Sequence, residues 1–185
     1  RPPRVRAKAT YTVETTRSVV YAKAVINSAW GATKGMEKSL LLDTFTPKGH
    51  TSGLRPAILF IHGGGFTGGT RAHPSLVAQA KYFAARGWFT ASIDYRLAGT
   101  RGTVPQAWAQ AVKKAAPHRV AVGNAMYLAG RDAKAAVRWL HANAAKYRVD
   151  PNHIAVAGGS AGAYTAIGVG ASAAADFRDE LTSAQ

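Results

Sequence analysis

A chain of 185 residues carries enough material for one core of ordinary size, and nothing in it demands a second. With 47% hydrophobic residues, and glycine and proline spread throughout, the composition is that of a folded α/β or α+β protein and excludes a disordered one. The absence of cysteine excludes disulfides and thiolate metal sites; 24 Lys and Arg against 9 Asp and Glu, a formal charge of +15, favour anionic surroundings without identifying them.

The opening "RPPRVRAKAT" begins without Met, and Pro2 and Pro3 disfavour helix, so residues 1–9 read as an extended basic arm before a single domain over 10–185. An arm of this kind is expected where a presequence or a tag has been removed; the first would point to export (periplasmic or secreted) or to organelle import, and a shortened chain start fits equally. The stretch from Thr10 to Ile26, rich in Thr, Val and Tyr, predicts an edge strand or hairpin, and "KSLLLDTFTP" (38–47) repeats the pattern up to Pro47. Two antiparallel leading strands follow from this. In "RPAILFIHGGG" (55–65) the unbroken apolar run from Ala57 to Ile61 marks a strand covered on both faces.

"HPSLVAQAKYFAARG" (73–87) predicts a helix with Pro74 in its first turn and Gly87 at its end, and "WFTASIDYR" (88–96) a strand. From Leu97 to Leu128, glycines and prolines predict a loop with one short helix over 107–115. A long helix is predicted over 130–150 with a buried stripe of Ala133, Val137, Leu140 and Ala144. A buried strand over 153–158 and a small-residue helix over 160–176 complete the series. Strand and helix alternate after the leading pair, which predicts a mostly parallel sheet with right-handed crossovers and helices on both faces.

The stretch "AVAGGSAGAY" (155–164) turns that last strand into that last helix, with Gly158, Ser160 and Gly162 in the pattern G-x-S-x-G. Such a turn exposes the serine hydroxyl beside the positive end of a helix. The second signal, "HGGGF" (62–66), follows an apolar strand directly; consecutive glycines leave N–H groups free to face an oxygen that develops negative charge. Gly64, Gly65 and the N–H of Ala161 would form an oxyanion hole. Neither G-x-x-x-x-G-K-[ST] nor G-x-G-x-x-G after the first parallel strand is present, and the six histidines lack metal-motif spacing, so no cofactor and no metal are expected. No RNP, helix-turn-helix or zinc signature accompanies the charge, so no specific nucleic-acid partner is expected, and no apolar run reaches the ~18 residues of a membrane span.

"HGGGF", "DYRL" (94–97) and "AAVRWLHANAAKYRVDPNHIAVAGGSAGA" (135–163) together resemble the α/β-hydrolase fold, in particular the carboxylesterase/lipase group similar to hormone-sensitive lipase. The resemblance implies a serine carboxylester hydrolase working through an acyl-enzyme: Ser160 as nucleophile, Gly64, Gly65 and Ala161 as oxyanion donors, and His62 as a residue shaping the loop. Asp94 and Arg96 would be structural. It also implies a small-molecule ester substrate with a short acyl chain or a small aromatic group, and Trp108, Met126 and Tyr127 are candidates for the pocket.

In that group an acid and then a histidine follow the serine. After Ser160 this chain has Asp176, Asp179 and Glu180, and every histidine precedes it. A serine hydroxyl needs a base within hydrogen-bond reach. His141, on a packing helix, and His153, at the start of a strand and roughly 20 Å away at ~3.3 Å per residue, do not qualify; His73 and His118 stay open. The chain is therefore expected to be the N-terminal part of a hydrolase, its acid and histidine supplied by a complementing C-terminal polypeptide that also covers the bare apolar edge of the 153–158 strand. The alternative is a catalytically inactive hydrolase-fold subunit with a structural or binding role.

Overall fold

The computed structural model of the chain describes residues 3–26, 35–51 and 53–178. Two long strands, β1 (Val13–Ile26) and β2 (Met36–Pro47), pair antiparallel as a ribbon. The ribbon continues through β4 (Phe89–Ile93), then β3 (Arg55–Ile61), then β5 (Val149–Gly158), in the order β1-β2-β4-β3-β5. β2 meets β4 antiparallel; β4, β3 and β5 run parallel. Every residue of β3 and β4 is buried, as an unbroken apolar run demands of central strands. The polar side chains within β4 are satisfied: Thr90 Oγ1 donates to the Ala80 carbonyl at 3.0 Å and Ser92 Oγ to that of Arg71 at 2.8 Å.

Helix α1 (Pro74–Ala84) lays Leu76, Ala80 and Ala84 on Phe45, Ile58 and Phe60, covering one face. The other face carries α3 (Val120–Ala142) and α5 (Ala161–Ala171), packed on a core of Leu42, Leu59, Ile61, Phe89, Ile93, Ala129, Ala133 and Leu140. The short helix α2 (Gln106–Ala115) leads into α3. α3 begins ten residues earlier than the sequence pattern suggests, and it ends at Asn143 rather than near 150. Its first part has Gly123 packed so tightly that a Cβ there would meet Val112 Cγ1 at 2.4 Å, so a glycine that reads as a breaker is instead a helix–helix contact. Beyond Asn143 one turn, α4 (Ala144–Tyr147), ends in Arg148 at φ 54, and β5 follows at once.

The strand expected to be buried over 153–158 is corrected: β5 lies at the edge of the described sheet, with Ala155 exposed and Ile154, Val156 and Ala157 half-buried. The register aligns the parallel strands at one end, Ile61 opposite both Ile93 and Gly158. Whatever follows each of these three strands therefore emerges side by side.

Candidate active site

Three segments leave that common end: the glycine loop after Ile61, the Asp94–Leu97 segment after Ile93, and the turn after Gly158. In the last, Ser160 stands at φ 53, ψ −121, a conformation that L residues avoid, and α5 starts at the next residue. The turn is held in place by backbone packing. A Cβ on Gly162 would lie 2.1 Å from the Ile61 carbonyl oxygen, so only glycine lets the helix start this close to β3. The N–H of Gly162 donates to the Gly159 carbonyl at 2.9 Å, and those of Ala163 and Tyr164 to the Ser160 carbonyl at 2.9 and 3.1 Å. Ala161 is the first helical residue, where an N–H has no carbonyl one turn earlier to accept it.

The glycine loop folds back on itself. The N–H groups of Thr67 and Gly68 both donate to the Gly64 carbonyl, at 3.0 and 3.1 Å, and Gly64 takes φ 118, with Gly68 O 2.1 Å from where a Cβ would sit. Loop and serine turn abut: a Cβ on Gly63 would lie 3.4 Å from Ser160 Cβ and 2.9 Å from the Gly159 carbonyl oxygen. Gly64 and Gly65 stand one and two residues beyond the contact with the serine turn.

His62 is buried with its ring stacked on Tyr95, centroids 4.2 Å apart, and its Nδ1 is 2.7 Å from the Gly63 carbonyl oxygen. Burial lowers its pKa, which favours the neutral ring. The Tyr95 hydroxyl donates to the His62 carbonyl at 2.9 Å, and burial pushes the phenol up to about 12, which keeps that donor protonated. At the far end of the loop, Arg71 is a second anchor. Its Nε donates to Asp43 at 2.8 Å, its Nη2 to Ser18 Oγ at 2.9 Å and its Nη1 to Asp94, while its own N–H donates to Asp94 at 2.7 Å. Asp94 thus ties the β4 end to the loop, and Arg96 ties it to α3 through Asp132, with Nη2 to Oδ1 at 2.7 Å and the Arg96 N–H to Oδ2 at 2.8 Å.

The structure sets the Ser160 turn against Gly63, the residue before Gly64 and Gly65, and leaves other candidates elsewhere. His50 packs on Tyr11, His141 lies in the last turn of α3, and His153 bonds Asp150 at 2.9 Å at the start of β5, the end opposite the serine. His73 Nδ1 is 2.9 Å from Ser75 Oγ, and His118 lies in a 3-10 turn before α3. Among the described residues no hydrogen bond reaches the Ser160 hydroxyl. Asp176 accepts from the Ala173 N–H at 2.7 Å; Asp179 and Glu180 lie outside the described residues. Trp108 and Tyr127 pack on each other at 5.3 Å, and Trp108 Nε1 donates to the Gly123 carbonyl at 3.1 Å, while Met126 is exposed. Among the described residues no group of three His, Asp or Glu is placed to hold a metal, and no helix is long and apolar enough to cross a membrane.

Sequence reasoning missed Tyr95 and Arg71. Tyr95 lies inside "DYRL", where its flanking charges drew attention. Arg71 gives no local sign, because its partners lie 23 to 53 residues away.

Residues 3–176 match the model of a family described as the carboxylesterase family. The chain is 35% identical over 127 residues to fumonisin B1 esterase of Sphingopyxis macrogoltabida, an alignment covering 69% of this chain and 22% of that protein. It is 32% identical over 130 residues to esterase LipC of Mycobacterium tuberculosis, covering 70% of this chain and 26% of that one. Among solved structures, the apo form of Thermogutta terrifontis esterase 2 superposes with a TM-score of 0.55 at 29% identity, over 84% of this chain and 44% of that one. The same esterase phosphoramylated by tabun gives 0.56, over 83% and 45%. The matched region thus spans about a quarter of the two relatives and under half of the solved esterase. The sheet and its helices are those of the α/β-hydrolase fold.

Proposed function

This chain belongs to the carboxylesterase family, and we propose that it carries the nucleophile and oxyanion hole of a serine carboxylester hydrolase. Ser160 attacks the ester carbonyl through Oγ, which forms the acyl-enzyme as the alcohol leaves; water then releases the acid. The N–H groups of Gly64, Gly65 and Ala161 hold the oxyanion in both halves of the reaction, each such donor lowering the barrier by about 2.7–4 kcal/mol, the cost seen where comparable donors have been removed. The observation that carries the reading is the strained Ser160 backbone, φ 53 and ψ −121, set directly against the glycine loop. Strain of this kind persists where surrounding packing enforces it.

The proton taken from Oγ requires a base, and the placement of the six histidines supports a base and acid from polypeptide outside these 185 residues. Small or short-acyl esters are the proposed substrates. A second reading, a hydrolase-fold subunit without catalysis, is favoured by one observation, the Ser160 hydroxyl with no hydrogen-bonded histidine among the described residues. A fluorophosphonate separates the two, since it labels an activated serine. In the protein that also carries the polypeptide supplying the base and acid, labelling at Ser160, with p-nitrophenyl acetate hydrolysis abolished in Ser160→Ala, is the expected result. Retained turnover in that variant overturns the assignment, and a complete absence of labelling and turnover gives precedence to the second reading.

A further inference from the structure

A cavity of about 280 Å³ lies between the β1–β2 ribbon and α3, and none of the glycine-loop or serine-turn residues lines it. Tyr21, Leu40, Trp139 and Phe177 give it apolar walls. The charged groups that also line it have mostly found partners: Arg96 pairs with Asp132, Lys23 with Glu37 at 2.8 Å, and Arg131 donates Nη1 to the Thr103 carbonyl at 2.8 Å. Arg138 differs. Both of its terminal nitrogens are shut off from solvent with no hydrogen-bond partner among the described residues. Its charged neighbour Arg178 adds repulsion rather than a counter-ion, and burial together with that repulsion lowers its pKa. A guanidinium nevertheless stays protonated at physiological pH. Buried guanidinium nitrogens with idle donors and no anion among the described residues are a costly arrangement that native structures avoid.

We infer that this cavity binds a small monocarboxylate with an apolar body, of the class of benzoate or hexanoate, whose carboxylate pairs with Arg138. The planar fork of a guanidinium matches a carboxylate through two parallel hydrogen bonds. The other cations that line the cavity already have partners, which leaves one idle guanidinium for a single negative charge and selects against a phosphate dianion. The volume gives room for one ring or a short chain. Engagement turns the fork of Arg138 toward the cavity that its side chain already lines, exchanging an unpaired buried state for a paired one. The inference is independent of Ser160 and holds whether or not the chain turns over esters.

The test is calorimetric titration and thermal unfolding of the whole chain with sodium benzoate and sodium hexanoate, with benzyl alcohol and hexanol as uncharged counterparts at matched ionic strength. Saturable binding of a carboxylate, a rise in Tm, and at least about tenfold weaker binding of the alcohols are expected. Arg138→Met should raise the Tm of the ligand-free protein and abolish the carboxylate effect. Ala135→Leu, which fills the cavity and leaves Arg138 in place, should abolish binding as well and serves if Arg138→Met does not fold. Absence of saturable carboxylate binding, an unchanged affinity in either folded variant, equal binding of the alcohols, or tighter binding of inorganic phosphate each overturns the inference.

Discussion

Replacing Asp132 with Ala tests whether the ion pair behind the glycine loop holds α3 to the sheet. Arg96 and Asp132 are each 1% exposed, and the carboxylate accepts from the Arg96 N–H at 2.8 Å, from Nη2 at 2.7 Å and from Nε at 3.1 Å. Removing it strands a buried guanidinium without its counter-ion, a loss of about 3–5 kcal/mol. Asp132→Asn keeps an acceptor and loses the charge, so about 1.5–3 kcal/mol is expected, the range for hydrogen bonds to charged groups. The pair Arg96→Met and Asp132→Leu removes both charges. Its remaining cost is that of the Arg96 N–H without an acceptor, about 1–3 kcal/mol, less than Asp132→Ala alone although one more residue is changed. Urea unfolding followed by circular dichroism reads these differences against a total stability on the order of 10 kcal/mol. A loss below about 1 kcal/mol for Asp132→Ala, or a double variant that costs the sum of its singles, would refute the reasoning.

Ser160→Gly should stabilise the fold by about 1 kcal/mol, since glycine accepts φ 53, ψ −121 without strain worth ~1–3 kcal/mol, and should abolish any serine-dependent hydrolysis; a lower urea midpoint would contradict this. Arg71→Met leaves the buried Asp43 without its cation and unties the glycine loop, with a loss of about 2 kcal/mol after discounting for the partly exposed Asp94. Amide hydrogen exchange across residues 62–71 should accelerate in that variant, and unchanged protection would argue against the tether. Stability should fall as the pH drops below 6.5. Burial lowers the pKa of both His50 and His62 from that ordinary value, so the unfolded chain takes up protons there that the folded chain refuses. The contribution is fully present above 6.5 and is lost as pH falls through the depressed folded values; His62→Gln should flatten part of the slope, and a flat wild-type profile would contradict the assignment.

The local sequence determined the parts whose signals are local. The apolar run Ala57–Ile61 could only be a strand covered on both faces, because a helix of that length would bury no distinct stripe, and β3 is buried throughout. G-x-S-x-G and the glycine run carried their own geometry, since positive φ at Gly64 and the close approach of Gly162 to Ile61 demand those residues. The pattern failed at Gly123, where a glycine serves packing against Val112 rather than a turn, whereas the apolar run of β5 stands half-buried at the edge of the described sheet, the bare edge that the sequence leads one to expect. Packing decided the role of Gly123, and packing partners are not written in the local run itself.

Only the tertiary structure decided which side chains hold the candidate site together. The clamp of Arg71 on Ser18, Asp43 and Asp94 joins residues that are distant in the chain and meet because the strand register brings three segment ends to one edge. The stacking of His62 on Tyr95, and the isolation of Arg138 beside its cavity, arise in the same way. Charge pairing and burial are properties of neighbours in space, and the sequence supplies the charges without saying which of them will meet.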